Sequence, residues 1–204
     1  MPRRTTQALL ISTAVTLAPA LTAEPNPGAY LAARQAGIAS DYLPAAEYFM
    51  TALAADPGNP LLIENAMASQ LGLGNIQAAR ALSQQMIDAG FSSQIAHMVE
   101  MAAAAQDNRW NDVFAQLESG RSVGPLVDGI AQAWAFVGQG DMRAALTAFD
   151  EVTQSQGLRA FGLYHKALAL ASVGDFEGAD AIFSLPPQQG LQRTRRISLI
   201  HATI

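Results

Sequence analysis

The chain has 204 residues, of which 50% are hydrophobic, only 14% charged and 7% aromatic, with alanine carrying much of the apolar share. Alanine-rich sequence without any sustained Val/Ile/Thr alternation points to closely packed helices and away from β structure. Twelve basic residues stand against 17 acidic ones and no cysteine is present, which excludes a basic nucleic-acid binder, thiol catalysis and cysteine-ligated metal.

Residues 1–23 are predicted to be a secretory signal peptide. Arg3 and Arg4 open it, Ala8 to Leu17 runs without a charge, and Ala18-Pro19-Ala20 or Leu21-Thr22-Ala23 offers small residues at its exit. Cleavage after Ala23 is expected, with Ala20 as the second choice. An uncleaved membrane anchor is the lesser reading, because a span needs about 20 apolar residues. Thr5-Thr6-Gln7 after the arginine pair does not favour twin-arginine export. Without a cysteine for lipid attachment, the mature chain is expected to be exported, soluble and periplasmic. Losing Arg3 and Arg4 leaves it a net charge of −7, Lys166 is its only lysine, and no Lys/Arg cluster is expected to hold an acidic peptide tail.

After the leader, Glu24-Pro25-Asn26-Pro27-Gly28 reads as a helix-breaking linker. A helix is predicted from Tyr30 to Ile38, a turn at Ser40-Asp41, and a second helix from Leu43 to Ala55 that accepts Pro44 in its first turn. Asp56-Pro57-Gly58-Asn59-Pro60 stops it. The plan then repeats. Leu61 to Leu71 and Ile76 to Ala89 flank a turn at Gly72 to Asn75, and Gly90 caps the pair. Gln94 to Ala105 and Trp110 to Ser119 flank Gln106 to Arg109; Val127 to Val137 and Met142 to Thr153 flank Gly138 to Asp141. Ala160 to Val173 and Phe176 to Phe183 flank Gly174-Asp175, and Pro186-Pro187 ends the fifth pair.

The turns begin at 40, 74, 108, 140 and 174, at intervals of 34, 34, 32 and 34. Each is followed by two positions four residues apart on one helix face: Ala45 and Phe49, Ala79 and Ser83, Val113 and Leu117, Ala145 and Phe149, Ala179 and Phe183. A fixed period of this size marks a solenoid. The pattern resembles the tetratricopeptide repeat (TPR) family. The first unit carries the resemblance at Asp41, Tyr42, Ala45, Phe49, Ala52 and Pro57. The fourth does so at Ala133, Gly140, Asp141, Ala145 and Phe149, and the fifth at Ala167, Gly174, Asp175, Phe176, Ala179 and Phe183. The third unit departs from it, lacking the turn glycine and carrying Val113 where alanine is usual, and the aromatic near the start of each first helix is mostly absent. The resemblance implies an all-α, right-handed superhelical solenoid of stacked antiparallel helix pairs. Five TPR-like repeats then span 24–187, and 188–204 hold a linker and the first helix of an incomplete sixth.

No phosphate loop, nucleophile elbow or paired metal-ligand motif is present, so no catalytic residue, metal or cofactor is expected. His97 and Glu100 share a helix face, yet without further ligands at matching spacing they read as structural or surface residues. His165, His201, Asp150-Glu151 and Asp175-Phe176-Glu177 read as packing, caps and solvated charge. In the TPR family the first helices line the concave face, and the resemblance implies that this face binds a protein or peptide. At one register the stripe is Tyr30 and Arg34, Glu64 and Ala68, Met98 and Ala102, Ile130 and Trp134, Tyr164 and Leu168. It starts polar and becomes apolar and aromatic, which suits an amphipathic helix or extended apolar segment. Trp134 and Tyr164 are the expected anchors, against the alternative that a narrow groove buries both rings between neighbouring helices.

The expected function is therefore that of an exported scaffold for protein–protein interaction, with no nucleic acid and no stable membrane insertion. Two alternatives stand beside it. One is the recognition arm of a larger envelope protein or enzyme continuing past residue 204. The other is a metal- or ligand-binding helical protein using His97. Another period places a turn near 208, beyond Ile204, and Ile197, Ile200 and Ile204 lie at helical spacing. Thr194 to Ile204 therefore reads as a helix without its partner, and either a longer protein or self-association through that uncapped end is expected.

Overall fold

The computed structural model describes residues 26–204; the leader expected over 1–23 lies outside the described residues. Within them the chain forms helices only, in the order α1 (Pro27–Ile38), α2 (Tyr42–Ala55), α3 (Pro60–Gly72), α4 (Ile76–Asp88), α5 (Gln94–Gln106), α6 (Trp110–Glu118), α7 (Pro125–Gly138), α8 (Met142–Gln154), α9 (Arg159–Ser172), α10 (Phe176–Phe183) and α11 (Arg195–His201). The predicted bounds hold to within about one turn. The first helix starts three residues earlier than expected because Pro27 occupies its first turn and the Asn26 side chain accepts from the Ala29 amide at 3.0 Å. Pro60 opens α3 in the same way behind the Asn59 cap, and Pro125 opens α7 without a side-chain cap on Gly124. The last helix is shorter than expected. Thr194 is its cap, and at the far end Thr203 Oγ1 donates to the Ile200 carbonyl at 2.7 Å instead of continuing the helix.

The five periodic turns are built alike. The backbone is left-handed at each, with φ of 57° at Ser40, 73° at Gly74, 56° at Asn108, 81° at Gly140 and 86° at Gly174. The next amide then donates to a carbonyl five residues back. Asp41 meets Ala36, Asn75 meets Gln70, Arg109 meets Ala104, Asp141 meets Phe136 and Asp175 meets Leu170, at 2.8 to 3.0 Å. This Schellman closure satisfies carbonyls that the helix end leaves unpaired. The third unit, without a turn glycine, keeps the geometry because Asn tolerates left-handed backbone better than most residues. Asp141 and Asp175 go on to cap the following helix, accepting from Ala144 and Gly178 amides at 3.0 and 2.9 Å.

The helices pack mainly on their neighbours in the chain, and α3 also meets α5 as α7 meets α9. The first helices of the second and third pairs, and of the fourth and fifth, therefore lie side by side. The buried apolar residues fall into four successive clusters along the described chain, not one central core, as expected of stacked units that contact only their neighbours. Ala45, Ala79, Val113, Ala145 and Ala179 are all buried where helices touch, and Phe49, Phe149 and Phe183 are buried beside them. The second unit has a polar substitute. Ser83, fully buried at the position of those rings, donates to the Glu100 carboxylate of α5. At the other end, Ile197, Ile200 and Ile204 pack against the cluster formed by α9 and α10.

Candidate functional site

The site is built on α7 and α9. On α7, Ile130 and Trp134 are four residues apart and share a face; on α9, Phe161 and Tyr164–His165 do the same at three and four residues. The join before α9 is short, turning at Gly157 with φ of 78°, and it sets the start of α9 beside α7. A cavity of about 300 Å³ lies between them, lined by Leu126, Val127, Ile130, Ala131, Phe161 and His165. A second, of about 650 Å³, continues from Phe161, Tyr164 and His165 toward Leu191, Arg196 and Ile197. Phe161 and His165 line both, so the two make one groove. Phe161 is 50% exposed within it.

Trp134 ties the groove wall together. Its Nε1 donates to His165 Nδ1 at 3.0 Å, and its ring meets Phe149 edge-on at 5.9 Å. Tyr164 packs edge-on against His165 at 5.3 Å. Accepting at Nδ1 requires a neutral imidazole with its proton on Nε2. Burial works in the same direction, holding the His165 imidazole below its ordinary value of 6.5.

None of the expected stripe residues is buried. Ile130 lines the smaller cavity and Tyr164 the larger, while Trp134 lines neither and reaches the groove only through its bond to His165. Tyr30 and Arg34 lie apart from it: the Arg34 guanidinium sits 5.9 Å over the Tyr30 ring, and Tyr30 lines a separate cavity of about 340 Å³ with Pro27, Ala52 and Leu62. Glu64 accepts from Ser93 Oγ at 2.6 Å, a contact between α3 and the start of α5. Met98 is 41% exposed. Trp134 is neither free nor core, being partly buried and bonded across to the next first helix.

Phe161 and His165 are the groove residues that the single-register stripe missed. Phe161 lies three residues before Tyr164, and a stripe drawn at both i and i+3 would have included it. Arginines gather at the α11 end of the groove. Arg193, Arg195 and Arg196 fall within four residues, and the fold brings Arg196 to the same cavity as Arg159.

The remaining polar candidates are engaged elsewhere. His97 is buried with Nδ1 3.2 Å from the Ser122 carbonyl, while Gln116 Nε2 donates to the His97 carbonyl at 2.8 Å. Glu100 is occupied by Ser83, so His97 and Glu100 turn to different partners. His201 Nε2 lies 2.6 Å from Asp180 and its ring stacks on Phe183 at 5.4 Å; Lys166 Nζ lies 2.6 Å from Asp150. No helix among the described residues is long and apolar enough to cross a membrane. No protein-family model matches the chain, and no curated protein matches it.

Proposed function

We propose that this chain is an exported TPR-type scaffold, a right-handed superhelix of helix pairs that holds a protein or peptide partner in the groove over α7 and α9. The TPR reading is supported by the near-constant period, by five turns closed with the same hydrogen bonds, and by a buried residue at the same place after each, alanine in four of the five. The export reading draws on the composition of residues 1–23.

One observation carries the binding reading. Phe161 leaves half its surface exposed between two adjoining cavities, beside a Trp134 ring held in place by His165. A large apolar ring exposed in a concavity, next to aromatic side chains already fixed, is what an interface anchor requires, since little side-chain entropy remains to be lost. The reading is of a binding protein and not an enzyme, because the histidines and carboxylates near the groove are committed to structural contacts.

The test is affinity purification from the native envelope with the wild-type chain, Phe161→Ala, and Phe176→Ala as the control, since Phe176 is equally exposed on the second helix α10. A protein retained by the wild type and Phe176→Ala but lost from Phe161→Ala, with unchanged thermal midpoints, is the expected result. Equal retention by all three would remove the groove as the binding site.

A further inference from the structure

The groove changes character at its α11 end. Residues 184–194 join α10 to α11 over 11 residues, against four to six in the other joins between pairs. The long join holds α11 off the start of α9, and the gap is the cavity of about 650 Å³. That size falls within the roughly 300–1,000 Å³ typical of small-molecule sites. Phe161, Leu191 and Ile197 supply apolar wall, and Arg159 and Arg196 stand among them with no Asp or Glu in the lining.

The two guanidinium charges are uncompensated. No ion pair among the described residues involves Arg159, Arg193, Arg195 or Arg196. Arg159 is also held in position, since its Nε and Nη2 donate to the Gln189 carbonyl at 3.2 and 3.0 Å and leave Nη1 unengaged. A chain with a formal net charge of −5 thus concentrates unpaired positive charge beside an apolar wall. Guanidinium groups are suited to a carboxylate, and the field of such a corner attracts anions.

We propose that this cavity binds a small apolar organic anion, a carboxylic acid with an alkyl or aryl body. The body lies against Phe161, Leu191 and Ile197, and the carboxylate is held by Arg159 and Arg196. A small molecule suits this end of the groove because the apolar wall and both exposed arginines line the same cavity beside the 184–194 join and α11, and the smaller cavity over α7 is left to the protein partner. This inference goes beyond the partner-binding reading and does not rest on it.

The test titrates the purified full chain with anilinonaphthalene sulfonate and with N-phenylnaphthylamine, which has the same rings and no charge. The anion is expected to bind about tenfold tighter or more, a difference of about 1.4 kcal/mol. Arg196→Gln removes most of that preference while leaving the uncharged dye unaffected, and Arg159→Gln with Arg196→Gln removes all of it. Arg196→Gln is the decisive variant, because Arg159 also anchors the join. Dodecanoate displaces the anionic dye and dodecanol does not. Equal affinity for the two dyes, a preference unchanged in Arg196→Gln, or failure of dodecanoate to displace would overturn the proposal. The dye then sits on another apolar surface, or the cavity takes a peptide.

Discussion

Replacing Trp134 by phenylalanine separates the two things its side chain does. The ring and its edge contact with Phe149 remain, while the donor to His165 Nδ1 is lost. A net hydrogen bond contributes about 0.5–1.5 kcal/mol, and the smaller ring gives up some burial as well, so a total loss of about 1–2.5 kcal/mol is expected at pH 8. For a chain of this length that lowers the thermal midpoint by about 3–8 °C. The pH dependence identifies the cause. The folded state holds His165 below its ordinary 6.5, so the unfolded chain takes up the proton first. The contribution is complete above about 6.5 and is lost as pH falls through the folded value. Once protonated, the imidazole cannot accept from Trp134, so the gap between wild type and Trp134→Phe narrows at pH 5. In the variant, moreover, the neutral form has lost a partner and the imidazole titrates closer to 6.5. Denaturant unfolding at pH 8 and pH 5, with an NMR titration of the His165 ring, measures both effects. A gap of equal size at the two pH values, together with an unmoved His165 titration, would refute the argument.

Three further outcomes follow from the packing. Ser40→Gly relieves a left-handed serine and should stabilise the chain by about 0.5–1 kcal/mol, with a smaller gain for Asn108→Gly; a loss at Ser40 in thermal unfolding would contradict the strain argument. Gly162→Ala places a Cβ 2.8 Å from the Thr153 backbone nitrogen and should cost about 1–3 kcal/mol, whereas Gly37→Ala meets nothing within 4 Å and should gain about 0.5–1 kcal/mol; equal effects in denaturant would show that α9 does not approach α8 so closely. Ala145→Leu adds a side chain at a fully buried helix contact and should cost about 1–3 kcal/mol by the same measurement, while an unchanged midpoint would mean the contact is loose.

The helices and turns were legible in the sequence because they are local. Even Ser40 and Asn108, which lack the expected glycine, adopt the left-handed turn that their position in the period demands. The buried alanines were legible for the same reason, since one helix face repeats with the period. What depends on how successive units sit against each other was not. The bond from Trp134 to His165 spans 31 residues, and nothing in either local sequence marks it. Arg159 and Arg196 line one cavity beside the long join of residues 184–194, which the period did not announce. The polar pair of Ser83 and Glu100 replaces a ring that the period led one to expect, and only the approach of α5 to α4 supplies its partner.

Site-specific photo-crosslinking tests the central claim most directly. A benzophenone amino acid is placed at Phe161 in the groove or at Phe176 on α10, positions of nearly equal exposure at 50% and 53%. Each full chain is then irradiated in the native cell envelope. A discrete protein adduct from position 161 that is absent from position 176 is the predicted result. The same adducts from both positions, or an adduct from 176 alone, would contradict a partner-binding groove over α7 and α9.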